Sequence, residues 1–266
     1  MSEEQLSFQA EVSRLLEIVA HSLYSNRDVF LRELVSNASD ACDKLRYLAL
    51  TDPSLAGDTP YAVTITPDPA RRTLTIADTG VGMTRDELVE NLGTIARSGT
   101  AAFLSQVEAQ AAEGKGGGTS LIGQFGVGFY SAFMVADRVE VRSRKAGTGA
   151  GWSWVSDGKG SFTVAEAADA PERGTVIVLH LKEDAKEYLE PARIRDIVRT
   201  HSDHIALPIR LDEGGKSEQI NAASALWTRP KSEVTEEQYR EFYHHVGRAF
   251  DDPWLTLHGK AEGMLE

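Results

Sequence analysis

The sequence predicts an α+β fold in which helices cover one face of a largely antiparallel sheet. Three observations carry that prediction. Four strand-like segments, residues 138–144, 152–155, 161–164 and 175–181, follow one another with Gly and Asp/Pro turns between them, and consecutive strands with short connections favour antiparallel pairing. Two more short strands, residues 62–66 and 73–77, are joined by the turn-like Pro67-Asp-Pro-Ala. Leu34, Ala38, Ala41, Leu45 and Leu48 recur along one line of a helix, an apolar stripe fit to pack against such a sheet.

In chain order, Phe8, Val12, Leu15, Leu16, Val19 and Leu23 stand at helical spacing and predict a first amphipathic helix. Ser25-Asn-Arg-Asp28 breaks it, and a second helix follows through Glu33. Residues 51–60, with two prolines and a glycine, read as a loop leading to the paired strands. A short helix is expected over residues 85–92, and another after Ser131, running towards Ala136. The four strands come next, then a helix over 191–204 and a strand at 207–211. Asp212-Glu-Gly-Gly-Lys-Ser-Glu218 is polar and glycine-rich, the best candidate for a linker. The domain division expected is 1–212, a linker at 213–225, and 226–266 as the start of a second domain, because about fifty residues seldom form a stable domain alone.

Composition narrows the function. With 266 residues, 41% hydrophobic and 26% charged, the chain reads as an ordinary globular protein. A formal charge of −12 argues against nucleic acid or an anionic membrane as the main partner. An anionic ligand would have to be held by backbone N–H groups, helix dipoles or a metal ion. The single cysteine, Cys42, excludes an internal disulfide and a cysteine-rich metal site, and its place beside the apolar stripe suggests a buried structural thiol. The start, Met-Ser-Glu-Glu-Gln, has neither a basic nor an apolar leader region, so the cytoplasm is the expected location.

Four motifs carry chemistry. At about 100° per residue, Asn37 lies roughly 40° and Asp40 roughly −20° from Glu33, and Lys44 continues the line. A carboxylate, an amide oxygen and a second carboxylate thus project together, which suits a general base beside a metal-ligand amide, although amphipathic helices commonly present such a face to water. Asp78, at a strand end, opens Asp78-Thr-Gly-Val-Gly-Met83; its carboxylate can accept from an exocyclic amine such as that of adenine, and glycines let the backbone approach a flat ligand. Asn91-Leu-Gly-Thr-Ile-Ala-Arg97-Ser-Gly-Thr100 supplies an amide, a cation and hydroxyls. Gly123-Gln-Phe-Gly-Val-Gly-Phe-Tyr-Ser131 places free N–H groups before a helix, an anion site, with Phe125, Val127 and Phe129 suited to a lid. Its spacing is not that of the dinucleotide fingerprint or of a P-loop. Thr175 offers a hydroxyl near the sheet, whereas Trp152 and Trp154 read as packing. His201 and His204 lack a third metal ligand, and no serine-hydrolase elbow occurs.

Taken together, these motifs resemble the GHKL ATPases, and Leu31-Arg-Glu-Leu-Val-Ser-Asn-Ala-Ser-Asp-Ala with the lid sequence resembles the ninety-kilodalton heat-shock chaperones in their bacterial form. The resemblance implies a two-layer α/β sandwich, the Bergerat fold, binding ATP or ADP and Mg²⁺ between helices and sheet. Glu33 would orient or deprotonate the attacking water. Asn37 would ligate Mg²⁺, with Asp40 beside it, and Asp78 would hold the adenine amine directly and through a water shared with Thr175. Gly82, Met83, Asn91 and Leu92 would line the nucleoside pocket, while Arg97, Ser98, Gly99, Gly123, Gln124, Phe125, Gly126, Val127, Gly128 and Phe129 would surround the phosphates. Arg97 departs from the lysine usual at that position in the family, which keeps the charge but changes its geometry. A further catalytic arginine would lie beyond Glu266, so slow hydrolysis is expected from this chain. The resemblance further implies client proteins as partners and a homodimer at full length, with this stretch monomeric. Two alternatives stand beside this reading: a module that binds nucleotide without hydrolysis, which the register of Glu33 with Asn37 opposes, and a GHKL kinase or DNA-acting ATPase, which the absence of a phosphoacceptor domain and the acidic charge oppose.

Overall fold

The computed structural model describes residues 3–7, 27–93, 128–223, 226, 230–247 and 251–259. The helix expected over residues 8–23 lies outside them. A nine-stranded sheet dominates, in the order β1 (Glu4–Ser7), β6 (Ser161–Glu166), β5 (Gly151–Ser156), β4 (Ala136–Arg144), β7 (Gly174–Leu181), β3 (Thr73–Asp78), β2 (Val63–Asp68), β8 (Ile209–Glu213) and β9 (Lys216–Gln219). Every pairing is antiparallel except that of β2 with β8. The helices are α1 (Val29–Leu48), α2 (Arg85–Gly93), α3 (Pro191–Ser202) and α4 (Glu236–Gly247). An α+β sandwich with a largely antiparallel sheet is thus what the chain forms.

Register explains why one face is the core. Leu211, Ile65, Ile76, Ile177, Val141, Trp154 and Val164 stand opposite one another across seven strands, and facing residues point to the same side of a sheet. Most are fully buried. α1 covers this face over β2, β3 and β7, and α2 covers it over β5 and β6. The neighbouring row reads Ile209, Val63, Asp78, Thr175, Ser143, Trp152. Three adjacent polar residues therefore stand in the centre of the sheet on its helix-facing side, and all three are buried. A buried polar row must be satisfied by hydrogen bonds, and this is where the site begins.

α1 is fixed at its start by Asp28, whose carboxylate accepts from the Tyr188 hydroxyl at 3.1 Å and pairs with Arg193. Phe30 packs edge-on against Tyr188, with ring centroids 4.9 Å apart. The predicted stripe is the buried one: Leu34, Ala38 and Leu45 lie in the core, with Ala41 and Leu48 at its margin.

The structure corrects four local expectations. The helix expected after Ser131 is a 3-10 helix that starts earlier, Gly128–Met134. Residues Glu183–Leu189 form another, unanticipated 3-10 helix. β1 was not anticipated, because four polar-to-mixed residues show no pattern until β6 pairs with them. The expected linker at 213–225 begins instead as a hairpin, β9 pairing with β8 around Gly214 and Gly215. Gly215-Lys-Ser217 therefore sits in a turn and strand with no helix after it, and forms no P-loop. Ile220 and Asn221 are buried behind that hairpin. Asn221 donates to the carbonyls of Ile205 and Leu207 and accepts from the Ile209 amide, at 2.9–3.0 Å. No described helix is long and apolar enough to cross a membrane.

Candidate functional site

The site is built on the stripe of α1 that starts at Glu33. The Glu33 carboxylate is held through Oε1 by the Arg32 guanidinium, at 3.1 Å from Nε and 2.6 Å from Nη2. Its Oε2 faces Gly128, where a Cβ would come within 2.3 Å of it. The 3-10 helix therefore crosses α1 at Glu33, and a side chain at Gly128 would have to displace the Glu33 carboxylate. Two turns further on, the loop after β3 crosses the same helix at Ala41. The Val81 amide donates to the Ala41 carbonyl at 3.0 Å, and a Cβ on Gly80 would meet the backbone of Ala41 and Cys42 at 2.5–2.7 Å. Asn37 lies on the same line one turn from each crossing. It is half-buried, and no described residue hydrogen-bonds its amide.

The glycines of the loop thus serve contacts within the protein. Gly80 lets the loop touch α1, and Gly82, at φ +64°, sits where a Cβ would strike the Arg144 carbonyl oxygen at 1.9 Å. Sequence reasoning gave these glycines to ligand approach and to φ > 0; Gly82 has the positive φ, and both also make room for α1 and β4.

Asp78 closes β3 with its carboxylate Oδ1 accepting from the Gly80 amide at 2.8 Å. Burial pushes its pKa up to about 7, against the opposing hydrogen bonds from the Gly80 and Thr175 amides. Two amides leave a carboxylate with unused acceptor positions. Beside it, Ser143 Oγ accepts from the Met83 amide at 2.8 Å, donates to the Gly174 carbonyl at 3.0 Å and lies 2.9 Å from Thr175 Oγ1. Ser143 has one proton, so with that proton on Gly174 the Thr175 hydroxyl is the donor in the last contact. The Thr175 oxygen then keeps its lone pairs. Sequence reasoning missed Ser143, since only the pairing of Ser143 with Thr175 across β4 and β7 brings it here.

The remaining residues fall around this centre. Asp40 is buried, and neighbouring Lys44 has its pKa lowered to about 8, chiefly by burial, while the Asp40 charge opposes that shift. Cys42 is buried, and its thiol is pushed up to about 12 by burial and then by the Asp78 charge, as a structural thiol should be. At the end of α2, Asn91 is half-buried and the Leu92 carbonyl accepts from the Tyr130 hydroxyl at 3.0 Å. That bond ties α2 to the 3-10 helix. The Phe129 side chain is in the core, edge-on to both Tyr130 and Trp154 at 5.6 Å, so only its backbone is left for a ligand. Met83 packs at the core margin. Arg97, Ser98, Gly99, Gly123, Gln124, Phe125, Gly126 and Val127 lie outside the described residues. Among the described residues no group of three or more His, Cys, Asp or Glu side chains could hold a metal, so a divalent ion at Asn37 would take most of its ligands from phosphate and water.

Residues 24–161 match the family described as histidine kinase-, DNA gyrase B- and HSP90-like ATPase, and residues 212–266 match the Hsp90 protein family. The chain belongs to the HSP90-like ATPases. Among its relatives in that family, the chaperone protein HtpG of Rhodospirillum rubrum is 61% identical over 268 residues, covering 100% of this chain and 42% of that protein. HtpG of Paramagnetospirillum magneticum is 59% identical with the same coverage. HtpG of Roseobacter denitrificans is 56% identical over 98% of this chain and 41% of its own length. The chain therefore spans about two fifths of these HSP90-like relatives. That family relationship makes a nucleotide the ligand class for a site in which α1 carries a carboxylate and an amide in line and β3 ends in a buried carboxylate.

Proposed function

We propose that this chain is the nucleotide-binding and hydrolysing module of an ATP-dependent chaperone. One observation carries the reading: Glu33, Asn37 and Ala41 share a stripe of α1, with the Gly128 turn crossing at one end and the loop carrying buried Asp78 crossing at the other. Asp78 accepts the adenine amine, and the Thr175 oxygen shares a water with it. Gly82, Met83, Asn91 and Leu92 flank the nucleoside. Asn37 offers its amide oxygen to Mg²⁺, which when bound neutralises phosphate charge that an acidic protein would otherwise repel. Arg97, Ser98, Gly99 and the backbone from Gly123 to Phe129 take the phosphates, and Glu33 orients or deprotonates the attacking water, a role worth about 10²–10⁴-fold in rate.

The match of residues 212–266 to the Hsp90 protein family supports a second domain beginning near residue 226. Trp254 and Leu257, 96% and 85% exposed, suit a segment that is completed by further chain. With part of the machinery supplied from there, hydrolysis by this chain alone is slow and the chain is monomeric. The full-length protein dimerises and couples nucleotide turnover to client proteins in the cytoplasm.

Calorimetric titration with ATP, with and without Mg²⁺, tests the reading when wild type, Asp78→Asn and Glu33→Ala are compared. Asp78→Asn is expected to bind ATP at least about tenfold more weakly than wild type. Glu33→Ala is expected to bind within about twofold of wild type while losing about 10²-fold or more of the residual hydrolysis. Unchanged ATP affinity in Asp78→Asn removes the adenine contact.

A further inference from the structure

Arg173 stands immediately before β7, outside every motif of the sequence. Its Nε donates to the Thr79 carbonyl at 3.0 Å, and its two Nη atoms donate to the carbonyls of Ala56 and Thr59. The guanidinium also lies over the Tyr61 ring, 5.6 Å from its centroid, with Arg46 at 5.2 Å from the same ring. The Thr79 carbonyl and the Gly80 N–H belong to one peptide group. A peptide group is planar, so a donor that fixes the carbonyl on one side fixes the direction of the N–H on the other. That N–H is the one that holds Asp78 Oδ1 at 2.8 Å.

Thr79 is restrained on its other atoms as well. Its amide donates to the Ala62 carbonyl at 3.3 Å, and its hydroxyl donates to Pro60 at 2.8 Å while accepting from the Ala62 amide at 3.0 Å. Those bonds place the residue, but none acts on the peptide group that faces Asp78. Gly174, next to Arg173 at φ +88°, leaves no space for a Cβ against the Asp78 carbonyl, which would be 2.2 Å away. The guanidinium and the carboxylate are thus hydrogen-bonded to opposite edges of one planar peptide group. A charged donor on the carbonyl also polarises the group and strengthens its N–H as a donor.

Resting on the adenine assignment to Asp78, we infer that Arg173 is the positioning residue for adenine recognition: through the Thr79–Gly80 peptide it orients the Asp78 carboxylate that receives the exocyclic amine. A guanidinium suits this role because its planar fork serves three carbonyls in one fixed geometry, which a lysine ammonium cannot. Arg173 acts on the base through this peptide group and spends its own donors on protein carbonyls. Its effect is confined to base discrimination.

The test is the ratio of affinities for ATP and inosine triphosphate, measured on the 266-residue chain. Inosine triphosphate presents a carbonyl where ATP presents the amine, and a site that bonds the amine discriminates strongly against an analogue lacking it. Wild type is expected to prefer ATP, and Asp78→Asn to abolish the preference. Arg173→Met is expected to reduce the ratio by about tenfold through weaker ATP binding, with inosine triphosphate affinity changed less than about twofold. Arg173→Lys, which keeps a cation against Tyr61, is expected to fold readily and to reduce the ratio by a smaller factor. A wild-type ratio in either folded variant, with both nucleotides weakened equally or not at all, overturns the inference and reduces Arg173 to a loop clamp. Retention of the preference in Asp78→Asn overturns the adenine assignment instead, so the two failures are told apart.

Discussion

Burial holds the Asp78 carboxyl near pH 7, and the Gly80 and Thr175 amides offset only part of the lost hydration. The sign of its contribution to stability follows. The folded chain keeps this proton up to about pH 7, whereas the unfolded chain loses it near 3.8. Between those values the folded state binds more protons, so stability from this group is complete below about 3.8 and is lost as pH rises through 7. Asp78→Asn removes the ionisation and is expected to melt above wild type at pH 8, by about 2–4 °C for each kcal/mol relieved. The gap should close towards pH 4. Thermal denaturation of both proteins across that range checks it, and parallel curves would contradict it. A residue that lowers the stability of the empty protein at working pH is readily understood if a ligand uses its charge.

Elements show where pattern ends and pairing begins. The helix face of α1 and the strands β2 to β8 were legible because their apolar residues alternate or recur at helical spacing. β1 and β9 were not. Glu4–Ser7 and Lys216–Gln219 carry almost no apolar signal, and β9 is exposed at every residue. They are strands because a neighbour offers a ladder. Asp78 and Thr175 were legible from their own motifs, but Ser143 and Arg173 join them only through registers that bring together residues 32 and 94 positions apart. Gly80 was recognised as meaningful, and its reason was not, since the helix backbone it touches is far away in sequence. Asn221 is a similar case. It satisfies three backbone groups behind the β8–β9 hairpin, so Asn221→Ala is expected to cost about 3 kcal/mol of unfolding free energy. Denaturant titration checks this, and a loss below about 0.5 kcal/mol would mean the hairpin is held by other contacts.

The whole molecule is an acidic chain of charge −12 assigned to a polyanionic ligand. Backbone N–H groups and a divalent cation reconcile the two, since both act at short range where net charge matters little. Family membership, a sheet with one buried face and a helix crossed twice by glycine-bearing turns all converge on the same side of the molecule. The central claim is that Asp78 and Asn37 address one bound nucleotide. Nuclear magnetic resonance of the isotope-labelled chain tests it directly, with ADP added first alone and then with Mn²⁺ in place of Mg²⁺. The account expects ADP alone to shift the amides of Gly80, Gly82 and Thr175, and Mn²⁺ then to broaden the Asn37 side-chain amide and Gly128 while Trp254 stays sharp. Shifts at the Asp78 loop with no Mn²⁺ broadening at Asn37, or broadening there without nucleotide, would contradict it.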